Sequence, residues 1–541
     1  MPHVYADGRK VELTVGKTVF DYADSLKLRV PTSCGRTGEC HECIVEIKQG
    51  HSSLSKPSSS ESFLRNDYRL ACQAYVTEPG EDVEFATLRR QPRILTKRAP
   101  RTVQLTPRAT KKNNKVYIEG NPVTNYTGAI LGLAGDIGTT TVGLNLVDLE
   151  SGFILHTSSF ENPQMFGGSD VMNRISYDSG IFQGELQQSM LSAINFEIGQ
   201  MTKHLGFHRR QIFDVVFVGN TTMRDILFGI DVQTIGEKPY KSLIQTEYED
   251  KTRKTTAIDT TALSLGVRVS PEARVYSGPL IGCHIGSDIS ADLLTIGIEN
   301  THNPIMLVDI GTNTEVVIGN KDGMVAASCP AGPAFEGGQI THGMPGYDGA
   351  IESVTIEKGS VVASTIGEKA AQGICGSGLI DLLAELRRTN YMTELGVLYD
   401  NNEHFVFHDN DMSLNRADIS NLAQAKSANY AGQFIALRHS QQSVSDISKL
   451  FLAGGFANYI NTSNARNIGF IANFPTKQIK KIGNASLEGA TIMIKSMDKR
   501  HQIENIVTKI EHIELETTPD FFEIFVEGCM FKPMPKEISN L

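Results

Sequence analysis

Three cysteines fall within ten residues, Cys34-Gly-Arg-Thr-Gly-Glu-Cys40-His-Glu-Cys43, and a fourth, Cys72, follows after 28 further residues. The other four, Cys283, Cys329, Cys375 and Cys529, are scattered over the rest of the 541-residue chain. Three thiolates in one loop with a distant fourth is nearly the ligand pattern of a plant-type [2Fe–2S] cluster. Gly35 and Gly38 let such a loop curl so that backbone N–H groups point at the negative sulfurs. Structural zinc also takes four thiolates, usually from two Cys-x2-Cys knuckles, and only Cys40–Cys43 has that spacing. A c-type haem needs its His after the second cysteine, whereas His41 lies between the two. Cys34, Cys40, Cys43 and Cys72 are therefore candidate ligands of a one-electron carrier, with zinc as the competing reading.

A second chemistry is written twice. Asp136-Ile-Gly138-Thr139-Thr140-Thr141 and Asp309-Ile-Gly311-Thr312-Asn313 each stand between two apolar stretches, in LAGDIGTTTVGLNLVD and LVDIGTNTEVVIGNKDG. Neither is a Walker loop, because no Gly-Lys-Ser/Thr follows. An aspartate at a strand end can hold Mg²⁺ through water, while a glycine turn and its hydroxyls face phosphate oxygens. A third element, Leu452-Ala-Gly454-Gly455-Phe456, is a strand ending in paired glycines where backbone could lie flat against a purine. The alternative is three ordinary tight turns.

These sites need scaffolds of different kinds. Residues 1–88 read as a compact β-rich unit, with strands over Val11–Val15 and Ile44–Ile47 and a helix over Phe20–Leu26. Residues 89–128 read as a basic, proline-containing linker: Arg89–Lys115 holds ten Lys/Arg, three prolines and no acid, too little apolar surface to fold alone. Residues 129–541 read as α/β, with short strands (Val215–Val218, Met306–Ile310, Leu450–Leu452) alternating with helices such as Ile380–Arg388. The repeated Asp-x-Gly-Thr predicts two related lobes. Net charge −10 gives no general attraction to nucleic acid. There is no run of about 18 apolar residues and no signal-peptide core at the start, so no membrane role and a cytoplasmic location are expected.

The first 88 residues resemble a [2Fe–2S] ferredoxin domain, closer to the adrenodoxin-like branch, with Arg69-Leu-Ala-Cys72-Gln presenting the fourth ligand. That resemblance implies an α+β, β-grasp fold. The two turns and the glycine pair resemble the phosphate-1, phosphate-2 and adenosine motifs of the actin/Hsp70/sugar-kinase (ASKHA) superfamily. Four more stretches narrow this: Val218-Gly-Asn-Thr-Thr-Met223, Ala331-Gly-Pro-Ala-Phe-Glu-Gly337, Gly373-Ile-Cys-Gly-Ser-Gly-Leu379 and Ile482-Gly-Asn-Ala-Ser-Leu-Glu-Gly-Ala490. With the ferredoxin unit, they resemble the ATP-dependent reductive activators of corrinoid proteins over nearly the whole chain.

The resemblance implies ATP-driven reduction of Co(II) to Co(I) in the corrinoid protein of a methyltransferase system. An external electron donor, Mg²⁺ and a homodimer come with it; the ferredoxin domain is expected to swing on its linker to deliver the electron. Asp136 and Asp309 would place Mg²⁺ and phosphates, and Glu336 is the candidate for orienting the attacking water. Asp225 stands where members often carry His, and longer members place an extra domain after the linker. Other readings are an ATP-gated donor to another low-potential enzyme, a small-molecule kinase with a redox sensor, and a non-enzymatic ferredoxin-like adaptor.

Overall fold

The computed structural model describes residues 2–78, 80–88, 101–399, 402–409, 411–455 and 457–535. The N-terminal unit is built on strands β1 (His3–Ala6), β2 (Arg9–Glu12), β3 (Ile44–Gln49), β4 (Tyr68–Leu70) and β5 (Val83–Thr87), in the order β2-β1-β5-β3-β4. β1 pairs antiparallel with β2 and parallel with β5, which is the β-grasp expected. Helix α1 (Val19–Ser25) opens on a reciprocal cap between Thr18 and Asp21 and buries Val19, Phe20, Tyr22 and Ala23, closing the core. The expected strand over Val11–Val15 ends at Glu12, because the turn at Gly16 (φ 85°) already sends the chain toward α1.

Residues 89–100, the first part of the expected linker, lie outside the described residues. The second part is not a tether. β6 (Ala109–Lys112), β7 (Lys115–Ile118) and β8 (Asn121–Asn125) form an antiparallel sheet. Ala109, Val116 and Ile118 are buried in the same core as the following α/β region. The basic composition conceals this because Lys111, Lys112 and Lys115 face solvent while Val116 and Ile118, two apart, face inward, as strand periodicity allows. Arg108 is buried and meets the wholly buried Asp214 at 4.0 Å, with Asp259 and Glu119 on its outer side.

The α/β region repeats one topology. In the first lobe, β9 (Leu131–Ile137), β10 (Thr141–Asp148) and β11 (Ile154–Glu161) run antiparallel. β12 (Ile212–Val218) and β14 (Arg274–Ser277) then add in parallel beside β9, and β13 (Ile258–Thr261) closes the edge. In the second lobe β15 (Ile305–Ile310), β16 (Asn313–Asn320) and β17 (Gly323–Pro330) repeat the antiparallel trio. β18 (Lys449–Ala453) and β19 (Ile479–Gly483) add in parallel beside β15. The duplicated-lobe expectation is therefore what the sheets show. Helices Ser287–Ile296 and Ala485–Lys495 cross where the lobes meet. Gly489 permits the crossing, since a Cβ there would lie 2.1 Å from the Ala291 carbonyl oxygen.

The ferredoxin unit is docked on the first lobe rather than held apart from it. Its core and that of the lobe are continuous. Phe63 meets Phe166 edge-on with centroids 5.6 Å apart, the Tyr177 hydroxyl donates to the Phe63 carbonyl at 2.7 Å, and Arg65 lies over the Tyr177 ring. His41 pairs with Glu185 at 2.9 Å.

Since Arg108 closes a buried ionic contact of the α/β fold, Arg108→Ala should destabilise it by about 3 kcal/mol. Denaturation followed by far-UV circular dichroism, with cluster absorbance as control, checks this; an unchanged transition would restore the tether.

Candidate functional site

The two Asp-x-Gly-Thr turns face each other across a cavity of about 260 Å³ at the lobe junction. Every nucleotide-site residue picked from the sequence lines it: Asp136, Gly138, Thr139, Thr140 and Thr141 from the β9–β10 turn, Asp309, Gly311, Thr312 and Asn313 from the β15–β16 turn, and Glu336, Gly454 and Gly455. Phe456 lies outside the described residues. The glycines are needed where backbone closes on backbone. A Cβ on Gly454 (φ 104°) would sit 2.1 Å from the Ile310 carbonyl oxygen, and one on Gly138 2.6 Å from that of Thr141.

Glu336 reaches both turns. Its carboxylate accepts from the Thr140 hydroxyl at 2.8 Å and the Thr312 hydroxyl at 2.9 Å. Burial raises its pKa. The two Gly-Asn pairs of the motif stretches acquire matching roles. Asn220 caps helix Thr221–Phe228 and donates to the Thr139 hydroxyl at 3.0 Å; Asn484 caps helix Ala485–Lys495 and donates to Asp136 at 2.8 Å.

The floor of the cavity is acidic beyond what the sequence reading found. Asp288 and Glu315 join Asp136 and Asp309 there. Burial, first of all, pushes Asp136 up to about 7, Asp288 up to about 8 and Asp309 up to about 6, and Glu315 well above its usual range. The charge of Asp309 adds to the rise at Asp136, Asp288 and Glu315. Asp288 follows Gly286-Ser287 at the start of a helix, and Glu315 is the third residue of β16. Neither carries a motif, so only a Gly-Ser-Asp turn at a lobe boundary could have pointed to the first. Once ionised, this floor would repel bare phosphate, whereas a divalent cation between carboxylate and phosphate oxygens satisfies both and keeps the carboxylates ionised.

The sulfur site is separate from the cavity. Gly35, Arg36, Gly38 and His41 all have positive φ and curl the loop. Arg36 fixes it to α1, stacking on Phe20 at 3.9 Å and pairing with Asp24 at 2.5 Å. Two of the four sulfurs lie together. The Cys43 and Cys72 sulfurs are 3.4 Å apart, near the roughly 3.7 Å that two thiolates on one tetrahedral metal adopt. A hydrogen bond from Thr37, helped by Cys40 and the Gly38 amide, pulls Cys34 down to about 5. Gln73 donates to the Cys72 sulfur at 3.4 Å, and a Cβ on Gly38 would strike that same amide. Glu61, buried, holds Arg69 at 2.7 Å and accepts from the Leu70 N–H, which places the segment leading to Cys72. A close Cys43–Cys72 pair, with the Gln73 side-chain amide turned toward the Cys72 sulfur and the Gly38 N–H toward Cys34, suits a cluster whose irons each take two thiolates.

Comparison with known proteins follows these boundaries. Residues 4–77 match the 2Fe-2S iron-sulfur cluster binding domain, residues 131–301 the RACo middle region, and residues 303–539 the C-terminal ASKHA domain of RACo. The chain belongs to the RACo family. Within that family it is 26% identical to the corrinoid activation enzyme RamQ of Eubacterium limosum, covering 96% of this chain and 97% of that one. It is 22% identical to the [Co(II) methylated amine-specific corrinoid protein] reductase of Methanosarcina barkeri, over 73% of this chain and 76% of that one. A solved reductive activator for corrinoid,iron-sulfur protein superposes with a TM-score of 0.71 at 28% identity, covering 98% of this chain and 99% of the other. The RACo boundary at 301/303 falls where the two lobes meet.

Asp288 is held in the fold above its ordinary 3.8, at about 8. Its contribution to stability is full below about pH 4 and is lost as pH rises through 8. At pH 8, Asp288→Asn should stabilise the ligand-free chain by about 2 kcal/mol and abolish ATP turnover. Thermal unfolding and phosphate release measure the two; a destabilised, active variant would contradict this view of the cavity floor.

Proposed function

We propose that the chain reduces the cobalt of a corrinoid protein from Co(II) to Co(I), passing one electron through a [2Fe–2S] cluster while ATP is hydrolysed in the cleft. The observation that carries this reading is the pairing, in one continuous core, of a four-cysteine ferredoxin loop with a two-turn nucleotide cleft. Co(I) is a stronger reductant than a plant-type cluster near about −400 mV. Each further 59 mV or so uphill makes a one-electron transfer tenfold less favourable. ATP helps only if nucleotide state changes affinity for the two cobalt states. The lobes would therefore grip the Co(II) protein and release the Co(I) protein, at the expense of ATP and water becoming ADP and phosphate.

The cluster, bound by Cys34, Cys40, Cys43 and Cys72, supplies one-electron transfer. In the cleft, Asp136, Asp288 and Asp309 offer oxygens to Mg²⁺, and Thr139, Thr140 and Thr312 offer hydroxyls to phosphate. Glu336, buried and raised in pKa, is suited to take a proton from an attacking water. Cys40 borders an open groove between the ferredoxin loop and the first lobe, which leaves an acceptor or an external electron donor a way in. Among the described residues no helix is long and apolar enough to cross a membrane. A cytoplasmic homodimer completes the proposal.

Two variants divide the activity. Cys72→Ser should hydrolyse ATP yet form no Co(I), while Asp309→Asn should keep a reducible cluster, lose ATP turnover and also form no Co(I). Cobalt absorbance and phosphate release read both. Full Co(I) formation by either variant would sink the proposal.

A further inference from the structure

The side of the phosphate turn that faces away from the cavity is tied to the ferredoxin domain by two short routes. Arg174, wholly buried, donates to the Thr139 carbonyl at 2.7 Å. Three residues along the same helix, Val171–Asp178, the Tyr177 hydroxyl donates to the Phe63 carbonyl at 2.7 Å. Asn162, also wholly buried, donates from its side chain to the Gly138 carbonyl at 2.8 Å and from its backbone N–H to the Thr140 carbonyl at 2.8 Å. It then caps the short helical turn Pro163–Gly167, whose Phe166 meets Phe63 edge-on.

Both routes converge on Phe63, and Phe63 does not stop there. Its ring stacks on His41 at 4.1 Å, and His41 sits between the ligands Cys40 and Cys43. Arg174 has a further peculiarity. Its hydrogen bonds to described residues go to neutral acceptors, the Gly168 and Thr139 carbonyls, Gln164 and the Met165 and Met223 sulfurs. Burial pushes it down to about 10, so it stays charged at neutral pH. A buried cation that, among the described residues, bonds only neutral acceptors and feels Asp170 and Glu336 at longer range favours a further anion on the other side of the phosphate-binding turn.

We propose that Arg174 is a positioning residue that couples the phosphate turn to ferredoxin docking, so that the cluster loop senses nucleotide in the cleft. The docked ferredoxin domain holds the helix Val171–Asp178, the helix holds Thr139 in its binding form, and nucleotide binding and docking favour each other. The proposal rests on the cleft being a nucleotide site. Coupling is reciprocal: whatever docking contributes to nucleotide affinity, nucleotide returns to docking.

The test uses the full chain with its cluster, Mg²⁺ and a non-hydrolysable ATP analogue, with no corrinoid protein present. Tyr177→Phe removes one hydrogen bond remote from the cavity, and should weaken analogue binding about fivefold while raising amide exchange at residues 61–65. Arg174→Lys should weaken it as well, and the double variant should be no weaker than Arg174→Lys alone. In the unsubstituted chain the analogue should shift the visible circular dichroism of the cluster, and this shift should vanish in Phe63→Leu. Unchanged affinity in Tyr177→Phe, or a cluster spectrum indifferent to the analogue, overturns the coupling and leaves the proposed activity standing. Failure of the unsubstituted chain to bind the analogue at all would instead remove the nucleotide reading.

Discussion

Five carboxylates gathered around one cavity, Asp136, Asp288, Asp309, Glu315 and Glu336, are the constraint on which the α/β part of the molecule turns. Asp136 and Asp309 end facing strands, Asp288 begins the helix that leaves the first lobe, and Glu315 belongs to the second. A fold without a charged ligand gains nothing from such a cluster, since each carboxylate loses hydration and repels the next. On the proposed reading, a cation and a polyphosphate offset that cost. The duplicated sheets are the means: each lobe delivers one Asp-Gly turn to the same point, and Gly454 and Gly489 allow strand ends and helices to approach closely enough to bury it.

The same economy governs the ferredoxin end. The loop that carries three cysteines is held by charge and stacking from Arg36, and the fourth cysteine by the buried Glu61–Arg69 pair. Docking adds an aromatic layer of Phe63, Phe166 and Tyr177, all but inaccessible to solvent. An electron carrier tethered by a free linker could reach many partners. One sharing a core with the ATPase lobe is instead committed to a fixed relation with the nucleotide turn, and motion then requires breaking that layer.

Much of this was legible in the chain. Four cysteines, two Asp-x-Gly-Thr turns and a glycine pair carry their chemistry in short, local patterns, because tight turns restrict residue type strongly. The parts that escaped depend on distance. Asp288 and Glu315 have no local signature, and their function exists only once two lobes meet. Residues 109–125 were hidden by their lysines, although Val116 and Ile118 already showed the two-residue period of a half-buried strand. Phe63, Phe166 and Tyr177 belong to no motif, and nothing local says that they pack against each other. The N-cap asparagines Asn220 and Asn484 lie between, visible as Gly-Asn pairs yet with a cleft-facing role that needs the fold.

The central claim is that ATP makes an uphill electron transfer hold. It is tested most directly by the unsubstituted chain poised at a fixed low potential with excess reductant and a Co(II) corrinoid protein, with cobalt absorbance followed with and without ATP. The account predicts Co(I) accumulating only when ATP is present. An equal yield of Co(I) without ATP, or none with it, would contradict the account.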